Sequence, residues 1–352
     1  MITVGVIGST GYAGAELMRL LCRHPHVEKI LAASHSYVGD PFSQIYPNFN
    51  KIFDAPCQAS DMATLAKQCD LLFLSLPHGI SSQHVTEAMV EECLIIDLGA
   101  DFRFSDVSVY ETWYKTNHKN HHLLAKAVYG LCELNRQQIK TSRLIANPGC
   151  YTTCSILTTY PLLAKDLIDA DTVVIDAKSG VSGAGRGEKL GSMFCESNES
   201  IKPYGVTTHR HTPEIEEQLS LAQSHGTQNS GVIISFTPHL VPMNRGILAT
   251  VYAKLRPGVT QTDVEDAYAT SYKNEQFVRV LPYGNFPETR WVKGSNYCDI
   301  GFTIDQRTQR IVACGALDNL VKGAAGQAVQ NMNILFGFEE ATGLDAISAF
   351  PL

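Results

Sequence analysis

The first two dozen residues constrain this chain more than any other stretch. Met1 to Gly8 (MITVGVIG) is a short apolar run ending in glycine, and Ala13 to His24 carries apolar residues at helical spacing. Between them lies the turn Gly8-Ser9-Thr10-Gly11-Tyr12-Ala13-Gly14. Strand, glycine turn and helix in this order open a parallel α/β unit, and the glycines let a pyrophosphate approach the helix N-terminus. The spacing is G-x-x-G-x-x-G rather than G-x-G-x-x-G, so an ordinary tight turn is the competing reading; its placement in a βαβ unit favours dinucleotide binding.

The same rhythm continues. Val27 to Ser34, Asp70 to Pro77, Leu94 to Gly99 and Arg143 to Ala146 read as buried strands, with helical patterns at Met62 to Gln68 and Ser81 to Glu91. Near-continuous apolar strands alternating with helices predict a Rossmann-type, doubly wound parallel sheet. After a helix beginning near Cys150 and ending near Ala164 the pattern changes. Strands at Thr172–Ala177, Val232–Phe236, Ile247–Leu255, Val278–Leu281, Tyr297–Ile304 and Ile311–Ala316 are separated chiefly by helices at Pro213–Gln223 and Gln261–Tyr272, predicting an α+β domain with a largely antiparallel sheet. A last helix, Val321–Leu335, returns to the first domain. The expected division is 1–149 completed by 320–352 for the nucleotide domain, and 150–319 for the substrate and oligomerisation domain.

With 44% hydrophobic and 18% charged residues and a net charge of −7, the 352-residue chain reads as globular. The charge argues against a nucleic-acid or anionic-membrane surface. No run approaches the roughly 18 apolar residues of a membrane helix, and the N-terminus reads as a strand rather than a signal peptide, so the expected address is the cytoplasm. Ten scattered cysteines fit thiols rather than a disulfide scaffold, and Cys150 with Cys154 has no second pair at zinc spacing, so no metal is expected. His118, His121 and His122 read as an exposed loop.

Four further stretches carry chemistry. The second strand ends in Ser34-His35-Ser36, where an NAD-specific protein would place an acid; these small polar groups suit a 2'-phosphate and hence NADP, unless they are merely a polar loop. In Asn147-Pro148-Gly149-Cys150 a thiol stands at a helix start, where orphan N–H groups favour the thiolate; the alternative is a buried structural cysteine, the reading given to the other nine. His209-Arg210-His211-Thr212-Pro213-Glu214 puts two imidazoles and a guanidinium ahead of a helix with Thr212 as its expected N-cap, and Glu214 lies three residues beyond His211, within reach to orient it. Ser179 to Arg186 (SGVSGAGR) either wraps a small anion or is a solvated loop, and Arg103 is a phosphate clamp or a surface arginine.

Eight ordered blocks, among them GSTGYAGAELMRLL, FLSLPHG, DLGADFR, NPGCY, SGVSGAGR, HRHTPEI, PHLVPMNRGI and DNLVKGAAGQAVQ, resemble the N-acetyl-gamma-glutamyl-phosphate reductases of the semialdehyde dehydrogenase superfamily. The resemblance implies an NADPH-dependent, thioester-forming reduction of an acyl phosphate in arginine biosynthesis. It implies Cys150 as nucleophile, His211 as acid/base and Glu214 as its orienter, with Arg103, Ser182 and His209 holding substrate anions. Cofactor contacts would come from Gly8, Ser9, Thr10, Gly11, Tyr12, Ala13 and Gly14, from Ser34, His35 and Ser36, from Pro77 and Gly79, and from Asn319 and Gly323. A homo-oligomer, dimer or tetramer, is implied. The family often has proline where this chain has Thr152. The alternatives are a dehydrogenase acting on aspartyl or carrier-linked aminoadipyl phosphate, and a non-catalytic NADP sensor.

Overall fold

The computed structural model describes residues 1–223 and 231–350; the last two residues of the expected 320–352 segment lie outside them. The strands are β1 (Ile2–Ile7), β2 (Val27–Ala33), β3 (Leu71–Leu74), β4 (Leu94–Asp97), β5 (Val128–Tyr129), β6 (Leu144–Ala146), β7 (Val174–Ser179), β8 (Lys202–Pro203), β9 (Ser235–Leu240), β10 (Ile247–Lys254), β11 (Val278–Val280), β12 (Cys298–Asp305) and β13 (Arg310–Leu317). The longer helices are α1 (Tyr12–Leu21), α2 (Cys132–Thr141), α3 (Cys150–Ala164), α4 (Thr212–Gln223), α5 (Gln261–Tyr272) and α6 (Gly326–Phe336). The chain divides into two compact units, Met1–Pro148 with Ala324–Asp345, and Gly149–Gly323 with the residues from Ala346 onward.

In the first unit six strands run in the order β2-β1-β3-β4-β6-β5, every pair parallel. Leu71 to Leu74 and Ile95 to Asp97 are fully enclosed, as a sheet covered on both faces requires. Helix α6 belongs to this unit and packs against α1 and α2.

The second unit holds a seven-stranded sheet in the order β11-β12-β13-β10-β7-β9-β8. It is mixed and mostly antiparallel, with parallel pairing only at β7·β9 and β11·β12 among the described strands. Helix α3 lies across β10 and β13, and it is buried on nearly every side. Two of its threonines, Thr153 and Thr158, satisfy their buried hydroxyls by donating to the carbonyls four residues earlier, at 2.9 and 2.7 Å, whereas the Ser155 and Thr159 hydroxyls are buried without a partner among the described residues. From α5, Tyr268 and Tyr272 donate to the Thr158 and Leu157 carbonyls, both at 2.6 Å. Gly315 leaves room for Thr158 and Cys154, where a Cβ would overlap the hydroxyl.

Three sequence expectations change. The helix expected over Ser81–Glu91 is two short ones, Ser81–His84 and Glu87–Glu92, because Thr86 adopts an extended backbone and caps the second by accepting from the Met89 N–H. The strand expected at Val232–Phe236 begins only at Ser235: the Val232 N–H goes to the Ser220 hydroxyl and the Ile234 N–H to Glu216, so side chains of α4 take the place of a ladder partner. His118 is not in an exposed loop. It is 3% exposed and its Nε2 lies 2.7 Å from the Asp101 carbonyl, while the exposed His121 and His122 open a short helix, His121–Lys126.

Candidate active site

In the first unit the glycine turn has a steric reason at each end. Gly8 sits at φ +80°, and a Cβ there would run into the Ser75 carbonyl; a Cβ on Gly14 would overlap the Gly8 carbonyl. Gly11, between them, would meet only the Gly8 carbonyl, at 3.5 Å. It is the N-cap of α1 and supplies no side-chain cap, so the first amides of that helix are left for an outside acceptor. Ser9 is buried and donates to the Ala33 carbonyl at 3.0 Å, which ties the turn to β2. Ser34 is buried and pairs with Thr10 through their hydroxyls at 2.9 Å, whereas His35 and Ser36 are exposed. Tyr12 is 39% exposed beside the same turn.

At the ends of β3 and β4, Gly79 needs its φ of +85°, and the Asp101 carboxylate takes its N–H at 2.7 Å together with the Ser82 N–H at 2.9 Å and the Tyr110 hydroxyl at 2.8 Å. Pro77 and His78 are thereby held exposed on a rigid turn. Beneath it Asp97 is fully buried, and burial together with the neighbouring Asp101 pushes its carboxyl up to about 7. Arg103 is 6% exposed rather than a surface arginine, and its guanidinium donates to the Leu98 carbonyl at 2.8 Å.

In the second unit, Cys150 is half-buried and is the first residue of α3, whose N-cap is Gly149, again with no side-chain cap. Here the helix start is furnished from within the protein. Glu214, 1% exposed, accepts the Gly149 N–H at 3.0 Å and lies 3.0 Å from the Thr152 hydroxyl. Thr212 is not the N-cap of α4: the His211 carbonyl accepts the first helical bond, from the Ile215 N–H at 3.0 Å. Helix α4 thus starts one residue earlier, with Pro213 inside its first turn, where a missing N–H costs nothing. The Thr212 hydroxyl is buried without a hydrogen-bond partner among the described residues. Glu214 is then the third helical residue, a position favoured for a carboxylate, so the N-terminal ends of two helices converge on one buried charge.

The two imidazoles of this segment meet edge to face with their ring centroids 4.8 Å apart, and Tyr151 lies 5.6 Å from His209 and 6.1 Å from His211. His209 Nδ1 accepts the His211 N–H at 3.1 Å, which leaves the proton on Nε2. Burial lowers its pKa to about 4, so near neutrality the ring is an uncharged donor rather than a cation. Tyr204 bonds Tyr151 at 3.2 Å, hydroxyl to hydroxyl, and Tyr151 donates to the His239 carbonyl at 3.1 Å. Neither tyrosine nor His239 was singled out by sequence reasoning, since a lone aromatic carries no spacing signal. Ser182, in a short 3-10 turn, shares a 3.0 Å bond with Asn319 Nδ2, and Asn319 Oδ1 takes the Gly246 N–H at 2.7 Å. Gly323 packs on the nucleophile candidate: a Cβ would fall 2.8 Å from Cys150 Cβ.

The ten cysteines are all free, but not all of the other nine are buried: Cys195 is exposed, and Cys22 and Cys314 are half-buried. Among the described residues no cluster of His, Cys, Asp or Glu could hold a metal, and no helix is long and apolar enough to cross a membrane.

Residues 3–142 match the semialdehyde dehydrogenase NAD binding domain and residues 150–319 its dimerisation domain. An N-acetyl-gamma-glutamyl-phosphate reductase of Lachnospira eligens is 55% identical over 352 residues, covering 100% of both chains; one from Lachnoclostridium phytofermentans is 53% identical over 351, again 100% of both. One from Campylobacter jejuni is 51% identical, with 97% of this chain and 98% of that one covered. The fold is also that of aspartate semialdehyde dehydrogenase II from Vibrio cholerae in its complex with ASA (TM-score 0.70, 17% identity, 96% and 98% covered) and of the Candida albicans aspartate semialdehyde dehydrogenase with NADP (0.66, 17%, 96% and 99%). The chain therefore belongs to the semialdehyde dehydrogenase family, among its N-acetyl-gamma-glutamyl-phosphate reductases, and is an NAD(P)-dependent oxidoreductase.

Proposed function

We propose that this enzyme reduces N-acetyl-gamma-glutamyl phosphate to N-acetylglutamate 5-semialdehyde and phosphate, with NADPH as reductant and a thioester on Cys150. The observation that carries the reading is the start of α3: an otherwise uncapped helix begins on a half-buried thiol, and the HRHTPE segment meets it through Glu214. The thiolate attacks the acyl carbon, the bond to the phosphate oxygen breaks, and phosphate leaves. Backbone N–H groups at the first turn of α3 hold the oxygen charge that develops on the attacked carbonyl. His211 takes the thiol proton and later returns a proton to the reduced carbon's oxygen, and Glu214 fixes its helix turn against α3. Neutral His211 then takes the hydroxyl proton back as the C–S bond breaks, so that the aldehyde leaves and the thiolate is restored.

The glycine turn fits a dinucleotide, because Gly8 and Gly14 permit a tight backbone turn that a Cβ would block, and that turn leads into the uncapped first amides of α1. Gly8 to Gly14, with Pro77 and Gly79, would hold the cofactor, and NADPH when bound supplies the hydride. NADP over NAD is supported by the absence of an acid at Ser34-His35-Ser36; the exposed His35 and Ser36 suit a 2'-phosphate, while Ser34 braces Thr10. Ser182, His209 as a neutral donor, and Arg103 would hold the substrate's anionic groups, and Asn319 acts by fixing Ser182. The matched dimerisation domain supports a homo-oligomer, and the expected cytoplasmic address follows the biosynthetic role.

Mass spectrometry of enzyme incubated with acyl phosphate and no reductant should find an acyl adduct on the Cys150 peptide. Cys150→Ser should lose more than about 1,000-fold in turnover while still binding NADPH. An unmodified peptide together with an active serine variant would remove the covalent route. Phosphate-dependent reduction of NADP and of NAD, with N-acetylglutamate and aspartate semialdehydes compared, tests cofactor and substrate.

A further inference from the structure

We infer that Thr152 is a positioning residue for the reaction: its hydroxyl, together with the Gly149 N–H, clamps the Glu214 carboxylate against the first turn of the nucleophile's helix. The inference rests on the proposed roles of Cys150, His211 and Glu214, and adds a residue to which nothing in that reading gives a part. Thr152 and Glu214 are 0% and 1% exposed, so the contact is made out of water, where a charge-assisted hydrogen bond is strong and a missing one is costly.

The hydroxyl has one proton and two acceptors within reach, the Gly149 carbonyl at 2.6 Å and Glu214 Oε1 at 3.0 Å. That carbonyl already receives the Thr153 N–H at 2.9 Å and the Thr153 hydroxyl at 2.9 Å. The carbonyl is the nearer acceptor but already has two donors, whereas the carboxylate is the stronger acceptor and has the Gly149 N–H as its other partner here, so the one proton is shared between them in a three-centre bond. The bridge therefore joins the third residue of α3 to the third residue of α4. It sets the spacing between the helix that begins at Cys150 and the turn that carries His211. A proline at position 152 would leave the helix start intact, since that amide is one of the orphans, but it would remove the clamp.

Thr152→Val keeps the shape and deletes the hydroxyl; Thr152→Ser keeps the hydroxyl and deletes a methyl. The valine variant should lose about 10-fold in kcat with KM for NADPH and for the acyl phosphate changed by less than about two-fold, and the serine variant should stay within about three-fold of the parent in kcat. In a Glu214→Gln background the valine substitution should cost less than about two-fold more, because residues acting through one another are non-additive. Equal losses in the valine and serine variants would point to packing alone and overturn the proposal, as would an additive loss on top of Glu214→Gln. Should Glu214→Gln keep the parental kcat, the role of the carboxylate itself fails and the proposal with it. Should Glu214→Gln be impaired while Thr152→Val is not, only the Thr152 proposal fails.

Discussion

Two helices in this protein start in the same way and are used differently. Helix α1 begins after Gly11, at φ −77° and ψ 169°, and α3 begins after Gly149, at φ −71° and ψ 158°, and neither glycine supplies a side-chain cap. Both follow a strand of the same parallel sheet, β1 and β6. At α1 the glycines allow the tight turn, no side chain caps the helix start, and an anion would come from outside. At α3 the protein brings its own anion, Glu214, and places a thiol on the first helical residue. An uncapped helix start is thus a general device. On the proposed reading, what stands around it decides whether it binds a ligand or arms a side chain.

Substitutions that fill space at the two starts should separate them. Gly8→Ala should have the largest effect: a left-handed backbone and overlap with the Ser75 carbonyl together cost several kcal/mol, on the order of 3. Thermal unfolding should fall by several degrees, and KM for NADPH should rise at least about 10-fold in what folds. An unchanged KM would detach the turn from cofactor binding. At the other start, Gly323→Ala presses on Cys150 Cβ, and should lower kcat by about 10-fold while leaving KM for NADPH nearly unchanged. A KM effect without a kcat effect would instead assign Gly323 to the cofactor. The smallest effect is one of pH on stability. His209 has its pKa lowered to about 4 by burial, so between that value and about 6.5 the unfolded chain binds a proton that the folded one does not. Stability should therefore fall as pH drops through this window, by roughly 2 kcal/mol at most, and level off below it. Equilibrium unfolding at several pH values should show that slope, and His209→Asn should flatten it.

The architecture was largely legible in the residues. Buried parallel strands are apolar along most of their length, so Leu71–Leu74 and Leu94–Ile96 announce themselves, and a glycine that needs positive φ, such as Gly8, marks its turn wherever it occurs. Local exceptions came from side chains that compete with the backbone. Thr86 broke a helical pattern, and Ser220 with Glu216 drew Val232 and Ile234 out of a ladder. At the site, Cys150, His209, His211 and Glu214 could be picked out by type and spacing. The box formed by Tyr151, Tyr204 and Phe236 around His209 could not, because its members come from α3, the residue after β8, and β9.

Periodicity and glycine placement by themselves determined the parallel sheet, the mixed sheet and the two helix starts, since these follow from backbone sterics and from which faces must be apolar. Charge states and partnerships were decided only in three dimensions. Whether His209 is a cation, whether Arg103 lies at the surface, and which group Glu214 touches all depend on burial and on neighbours far along the chain. The physical reason is that desolvation and hydrogen bonding act through space, whereas helical and strand patterns act through consecutive residues.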